Sequence, residues 1–142
     1  RLADVVAALI VRGWVENGSG ERSGLVQAMR DPRLSQAIAA MHREPGENWT
    51  VARLASVAGC SRSVFAGRFL NATGMTPLRY LTELRMRLAV QRIVNNGEAV
   101  EAVAYHLGYG SIAAFSRAFK RIVGQSPGAL RAGRDGTQAL AS

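Results

Sequence analysis

The sequence predicts an all-α protein in which two similar helical units are joined by a long central helix. Three observations predict it. No stretch alternates apolar and polar residues with the period of two that a half-buried strand needs. Apolar residues recur instead at three- and four-residue spacing, in segments opened by Ser, Thr, Asp or Pro and closed by Gly. The pattern also repeats. Phe65, Phe69, Gly74 and Pro77 reappear fifty residues later as Phe115, Phe119, Gly124 and Pro127, and Ala55 and Gly59 reappear as Ala104 and Gly108 at an offset of 49.

Residues 1–16 read as one helix with Val5, Val6, Leu9 and Ile10 on one side. Residues 17–24 are rich in Gly and Ser and mark a flexible boundary. Helix resumes near Leu25. Asp31 as N-cap and Pro32 in the first turn start the next helix, which runs to Arg43 before Glu44-Pro45-Gly46 stops it. Thr50 caps a short helix over 51–58, with Trp49 placed to staple its first turn and Gly59 to close it. Ser61 caps the following helix, which ends at Gly74. Pro77 opens the long helix, expected to reach about Asn96; the roughly 18 residues around Leu78–Asn95 at 1.5 Å each give about 27 Å. Glu98 to Leu107, then Ile112 to Val123, then Pro127 to about Arg131 complete the second unit, with one extra residue in its turn, Tyr109-Gly110-Ser111. Leu81, Leu84, Leu88 and Ile93 are core positions of the long helix. The tail over 133–142 reads as frayed.

Composition narrows the function. The chain has 142 residues and a net charge of +8, and its isoelectric point is near 11.2. Residues 1–47 carry six Arg and six acids, whereas 48–134 carry twelve Arg and Lys against Glu83, Glu98 and Glu101. A basic block this concentrated points to a polyanion. The single cysteine, Cys60, excludes an internal disulfide, and with only His42 and His106 beside it a zinc finger is excluded too. Cys60 reads as a small packed residue, not a nucleophile; the two histidines read as surface or packing groups. Gly108-Tyr109-Gly110 follows no strand and is not a phosphate loop. The expectation is a non-enzyme with no cofactor and no metal. No apolar run is long enough to span a bilayer, and one cysteine fits a reducing, cytoplasmic setting. The chain starts at Arg1 inside a helical pattern and reads as part of a longer protein.

Each copy of the repeat is a short helix, a Gly-containing tight turn and a second helix, the order of a helix-turn-helix. In that motif the first helix braces the second, which enters a DNA major groove. Phe65/Phe69 and Phe115/Phe119 are i,i+4 pairs that anchor the second helices in the core. That leaves Ser63, Ala66 and Gly67 in copy one, and Ile112, Ala113, Ser116 and Arg117 in copy two, for the other face.

The run Arg87-Leu-Ala-Val-Gln, Val103-Ala104, Leu107-Gly-Tyr109, Ala114-Phe-Ser-Arg-Ala-Phe-Lys120 and Gly124-Gln-Ser-Pro127 resembles the signature of the AraC/XylS family of bacterial transcription regulators. The resemblance covers about residues 33–131. It implies two helix-turn-helix subdomains (25–96, with the linker helix, and 97–132), each a homeodomain-like three-helix unit. It implies two recognition helices in successive major grooves of double-stranded DNA, which recur about every 34 Å. Residues 1–24 would be the remnant of a regulatory domain through which a small-molecule effector acts. RNA polymerase as partner, activation, and a homodimer of the full protein are likewise implications of the family.

The resemblance also assigns sites. Arg117 is the candidate for bidentate guanine contact, Ile112 and Ala113 for thymine methyls, and Ser116 for a close hydrogen bond. Copy one reads Phe65-Ala66-Gly67-Arg68-Phe69, with Gly67 where the family often has Arg, so copy one is expected to contribute backbone contacts, methyl contacts and shape reading, and copy two most of the sequence discrimination. Arg62, Arg68, Lys120 and Arg121 are candidate phosphate contacts, joined by the helix starts at Ser61 and Ser111; Trp49 has an N–H that can also reach phosphate. Two other classes compete. An alkyl-transfer repair protein shares this helical pattern but needs a cluster of zinc-bound cysteines, and a helical protein-interaction module would carry its charge incidentally. A salt titration of DNA binding separates the last from the first.

Overall fold

The computed structural model describes residues 26–133. The predicted helix over 1–16, the Gly/Ser boundary and the tail beyond Gly133 lie outside the described residues. A helical turn covers 26–29. The helices that follow are α1 (Pro32–Arg43), α2 (Val51–Ala58), α3 (Arg62–Thr73), α4 (Pro77–Val90), a π-helical turn (Gln91–Asn95), α5 (Val100–His106) and α6 (Ile112–Val123). A last helix, α7, covers 127–133. No strand occurs among the described residues.

Local chemistry accounts for most boundaries. The Asp31 carboxylate accepts from the Arg33 N–H, and Pro32 sits at the first helical position of α1. The hydroxyls of Thr50, Ser61 and Ser111 accept from the N–H groups of Arg53, Val64 and Ala114 at 3.1, 3.3 and 3.1 Å. Each satisfies a donor that the first turn leaves without a helical partner. Thr76 and Ser126 do the same one residue before Pro77 and Pro127, accepting from Arg79 and Ala129. Gly59, Gly74 and Gly124 end α2, α3 and α6 in the left-handed conformation. A side chain there is strained, which is why glycine stands at these ends. The turns match as well: Cys60 N–H donates to the Ala55 carbonyl and Tyr109 N–H to that of Ala104, the same bond 49 residues apart.

Two boundaries differ from expectation. The second short helix begins at Val100, not Glu98. Gly97 is left-handed, the Glu98 N–H turns back to the Arg92 carbonyl, and its own carbonyl accepts from the Arg131 guanidinium, so Glu98 belongs to the turn. Ala99 holds the N-cap place and has no side chain able to cap. The long helix reaches Asn95, but its last turn is π-helical, which sets one more residue into the turn. Ile93 of that turn is fully buried.

The described residues form two compact units divided between Leu84 and Arg85. The first has a core of Leu34, Ile38 and Met41 from α1, Leu54, Ala55 and Ala58 from α2, Phe65 and Phe69 from α3, and Leu81 and Leu84 from the start of α4. The second packs Met86, Ala89 and Val90 from the end of α4 with Ile93, Val103, Leu107, Phe115, Phe119, Val123 and Leu130. Leu88 is partly buried against it. All four phenylalanines are fully buried; each contributes on the order of 2–3 kcal/mol by leaving water. Within each pair the rings stand 5.7 Å (Phe65/Phe69) and 5.6 Å (Phe115/Phe119) apart and tilted. That burial fixes how α3 and α6 are rotated, and so which side chains face out.

Candidate nucleic-acid interface

On α6 the direction opposite Phe115 and Phe119, at roughly 100° per residue, carries Ala113, Arg117, Lys120 and Arg121. All four are exposed. Ile112, at the start of the helix, is 47% exposed. Ser116 lies at the flank and is half-buried. Three cations therefore share one exposed face of a helix whose first turn is capped by Ser111.

On α3 the same direction carries Ser63, Val64, Gly67, Leu70 and Asn71, all exposed. The fifty-residue repeat pairs Gly67 with Arg117, Leu70 with Lys120 and Asn71 with Arg121. Every cation on the outward face of α6 thus has a neutral counterpart on α3. Ala66, like Ser116, sits at the flank and is half-buried. Arg62 is exposed at the helix start. Arg68 lies toward Asp31, with 3.8 Å between guanidinium and carboxylate, and its side chain is half-exposed. An ion pair that long and that wet is weak, so it leaves Arg68 able to move to an anion. Val64, Leu70 and Asn71 escaped the sequence reading, although a helical projection from Phe65 and Phe69 places them on the outward face.

The turn before α6 is braced from within its own unit. The Arg85 guanidinium lies over the Tyr109 ring at 5.6 Å. The Tyr109 ring meets Phe115 edge-on, with centroids 5.4 Å apart. Burial pushes the Tyr109 phenol above its ordinary pKa, while Arg85 and Arg121 pull it back. Burial likewise holds the Arg85 guanidinium below its ordinary value, against the attraction of Tyr109.

In the first unit the Trp49 indole N–H donates to the Glu44 carbonyl at 2.8 Å, and the Arg53 guanidinium lies over the ring at 4.8 Å. The indole ring thus meets the first turn of α2 through Arg53, and its N–H is already used, which corrects the phosphate role raised for it. His42 pairs with the Tyr80 hydroxyl at 2.7 Å, and His106 lies beside Tyr105. Among the described residues no group of three or more His, Cys, Asp or Glu stands ready for a metal ion.

Two short helices braced against two anchored, outward-facing partners define a double helix-turn-helix domain. A family model described as a helix-turn-helix domain matches residues 54–133. An AraC-like transcription regulator of Streptomyces antibioticus is 39% identical over 130 residues, 92% of this chain and 43% of its own length. The transcriptional activator RclR of Escherichia coli is 38% identical over 123 residues, 87% of this chain and 43% of the relative. Among solved structures, the DNA-binding domain of AdpA in complex with a target DNA superposes with a TM-score of 0.69 at 30% identity, covering 74% of this chain and 95% of that one. The chain belongs to the AraC/XylS family of transcription regulators, and it spans less than half the length of the first relatives it matches.

Proposed function

We propose that this chain is the sequence-specific DNA-binding part of a transcription regulator of the activator type, and that α3 and α6 enter successive major grooves. The observation that carries the reading is the exposed face of α6, where Arg117, Lys120 and Arg121 stand together on a helix rotated by two buried phenylalanines. Arg117 is central on that face and carries a planar fork of donors that suits guanine O6 and N7. Ile112 and Ala113 offer apolar contact to thymine methyls, and Ser116 a short hydrogen bond from the flank. Lys120, Arg121, Arg62 and Arg68, with the N-terminal N–H groups beside Ser61 and Ser111, hold phosphates. Copy one, with Gly67, contributes fewer hydrogen bonds to bases, so α6 supplies most of the discrimination by that route.

No catalytic step is assigned to the chain. A bacterial regulator of this kind works in the cytoplasm on chromosomal DNA. Among the described residues no helix is long and apolar enough to cross a membrane. Recruitment of RNA polymerase, response to a small-molecule effector and dimerisation belong to the whole regulator; the effector would act through the part of the relatives that this chain does not span.

The test is selection of bound sequences from random duplex, followed by a salt titration on the winner. The reading expects a site whose two halves lie about one helical turn apart, with log K falling by about 0.9 per phosphate neutralised for each unit of log salt. Enrichment of nothing, or affinity indifferent to salt, refutes it.

A further inference from the structure

The outward face of α3 is unlike that of α6, and the difference has a shape. Gly67 stands at its centre, in helical conformation, and a Cβ added there would meet nothing within 4 Å. Three residues before it Val64 is 43% exposed, and three residues after it Leu70 is 48% exposed. The helix thus presents a notch between two apolar knobs, with Ser63 and Asn71 beside them and no cation on the face. Such a surface offers little to phosphate and no side chain to guanine at its centre. It does suit the one apolar group on the major-groove edge of a base pair, the C5 methyl of thymine. The absent side chain lets the backbone approach the bases closely. Lys120, at the place in α6 that matches Leu70, is long enough to reach past the base edges; a leucine stops beside them.

We infer that α3 reads its half-site by apolar contact, with Val64 and Leu70 against thymine methyls on either side of the Gly67 notch. The inference rests on the reading of α3 as a recognition helix and names what that helix recognises. The two helices then differ in chemistry: α3 reads by methyl contact, whereas α6 adds the guanine hydrogen bonds of Arg117 to the methyl contacts of Ile112 and Ala113.

Replacing thymine by uracil removes the C5 methyl alone and leaves base pairing intact. The experiment takes the 142-residue chain and the duplex chosen by selection, replaces each thymine in turn by uracil, and measures affinity by fluorescence anisotropy. In the half-site contacted by α3, one or two replacements are expected to weaken binding by roughly fourfold per methyl. Leu70→Ala or Val64→Ala is expected to weaken binding to the thymine duplex and to abolish the sensitivity at its own position, since neither partner of the contact then remains. Both side chains are exposed, and a thermal melt of each variant checks that folding is kept. If every uracil replacement in that half-site is neutral, or if the sensitivity survives both substitutions, the inference is overturned while DNA binding by the chain stands. If selection enriches no sequence, the reading beneath it falls, and the inference with it.

Discussion

Gly67→Ala should make the protein more stable. Gly67 lies in the middle of a twelve-residue helix, its φ is not positive, and a new Cβ meets open space. Alanine restricts the unfolded chain and favours the helix, a gain of about 1 kcal/mol. For a protein of this size that raises the melting temperature by roughly 3–6 °C. The same substitution at Gly124 should act in the opposite sense. There φ is +95°, and although space is again open, the left-handed backbone costs an L-residue about 1–2 kcal/mol. Thermal and urea unfolding followed by helical circular dichroism measures both, and the pair separates backbone conformation from packing because neither new methyl touches a neighbour. Failure of Gly67→Ala to raise the melting temperature, or a gain in stability from Gly124→Ala, refutes the reasoning. A helix centre kept at glycine against this gain is the kind of stability cost that a binding surface imposes.

Three further outcomes are expected. Arg117→Ala should lose about 1–3 kcal/mol of discrimination at one base position and leave the other half-site unchanged, as read by selection from random duplex; unaltered base preference refutes the assignment. Phe119→Ala should cost about 3–5 kcal/mol, because the ring is fully buried in the second core, and urea unfolding reads it directly. Tyr109→Phe should change the response to alkali. The phenol is held above its ordinary value of 10.0, so the unfolded chain ionises first and the native protein loses stability as pH rises past about 10. A Phe variant lacks that contribution, and urea midpoints between about pH 9 and 11 should fall less steeply for it than for the parent.

The parts of this molecule legible in the sequence are those governed by neighbours along the chain. Asp31, Thr50, Ser61 and Ser111 act as caps because a hydroxyl or carboxylate reaches an N–H two or three residues ahead. The glycine stops and the i,i+4 phenylalanine anchors are equally local, and the fifty-residue repeat displays them twice. Where the signal was absent the boundary moved: nothing at Ala99 can cap, and α5 starts at Val100 instead of at Glu98.

Other features depend on residues far apart in sequence or on which way a buried ring turns its helix. The pairing of Arg85 with Tyr109 spans 24 positions and that of Arg68 with Asp31 spans 37. The division of α4 between two cores and its π-helical end follow from packing, which no local propensity encodes. Sequence by itself settled the order of the helices from α1 to α6, most of their ends, the repeat and the family, because capping and glycine stops are short-range signals that each repeat carries. Tertiary structure decided what the phenylalanine spacing did not, that Ala66 and Ser116 sit half-buried at the flank while Val64, Leu70 and Asn71 stand exposed beside Gly67, because packing against each core sets how deep a neighbouring side chain lies.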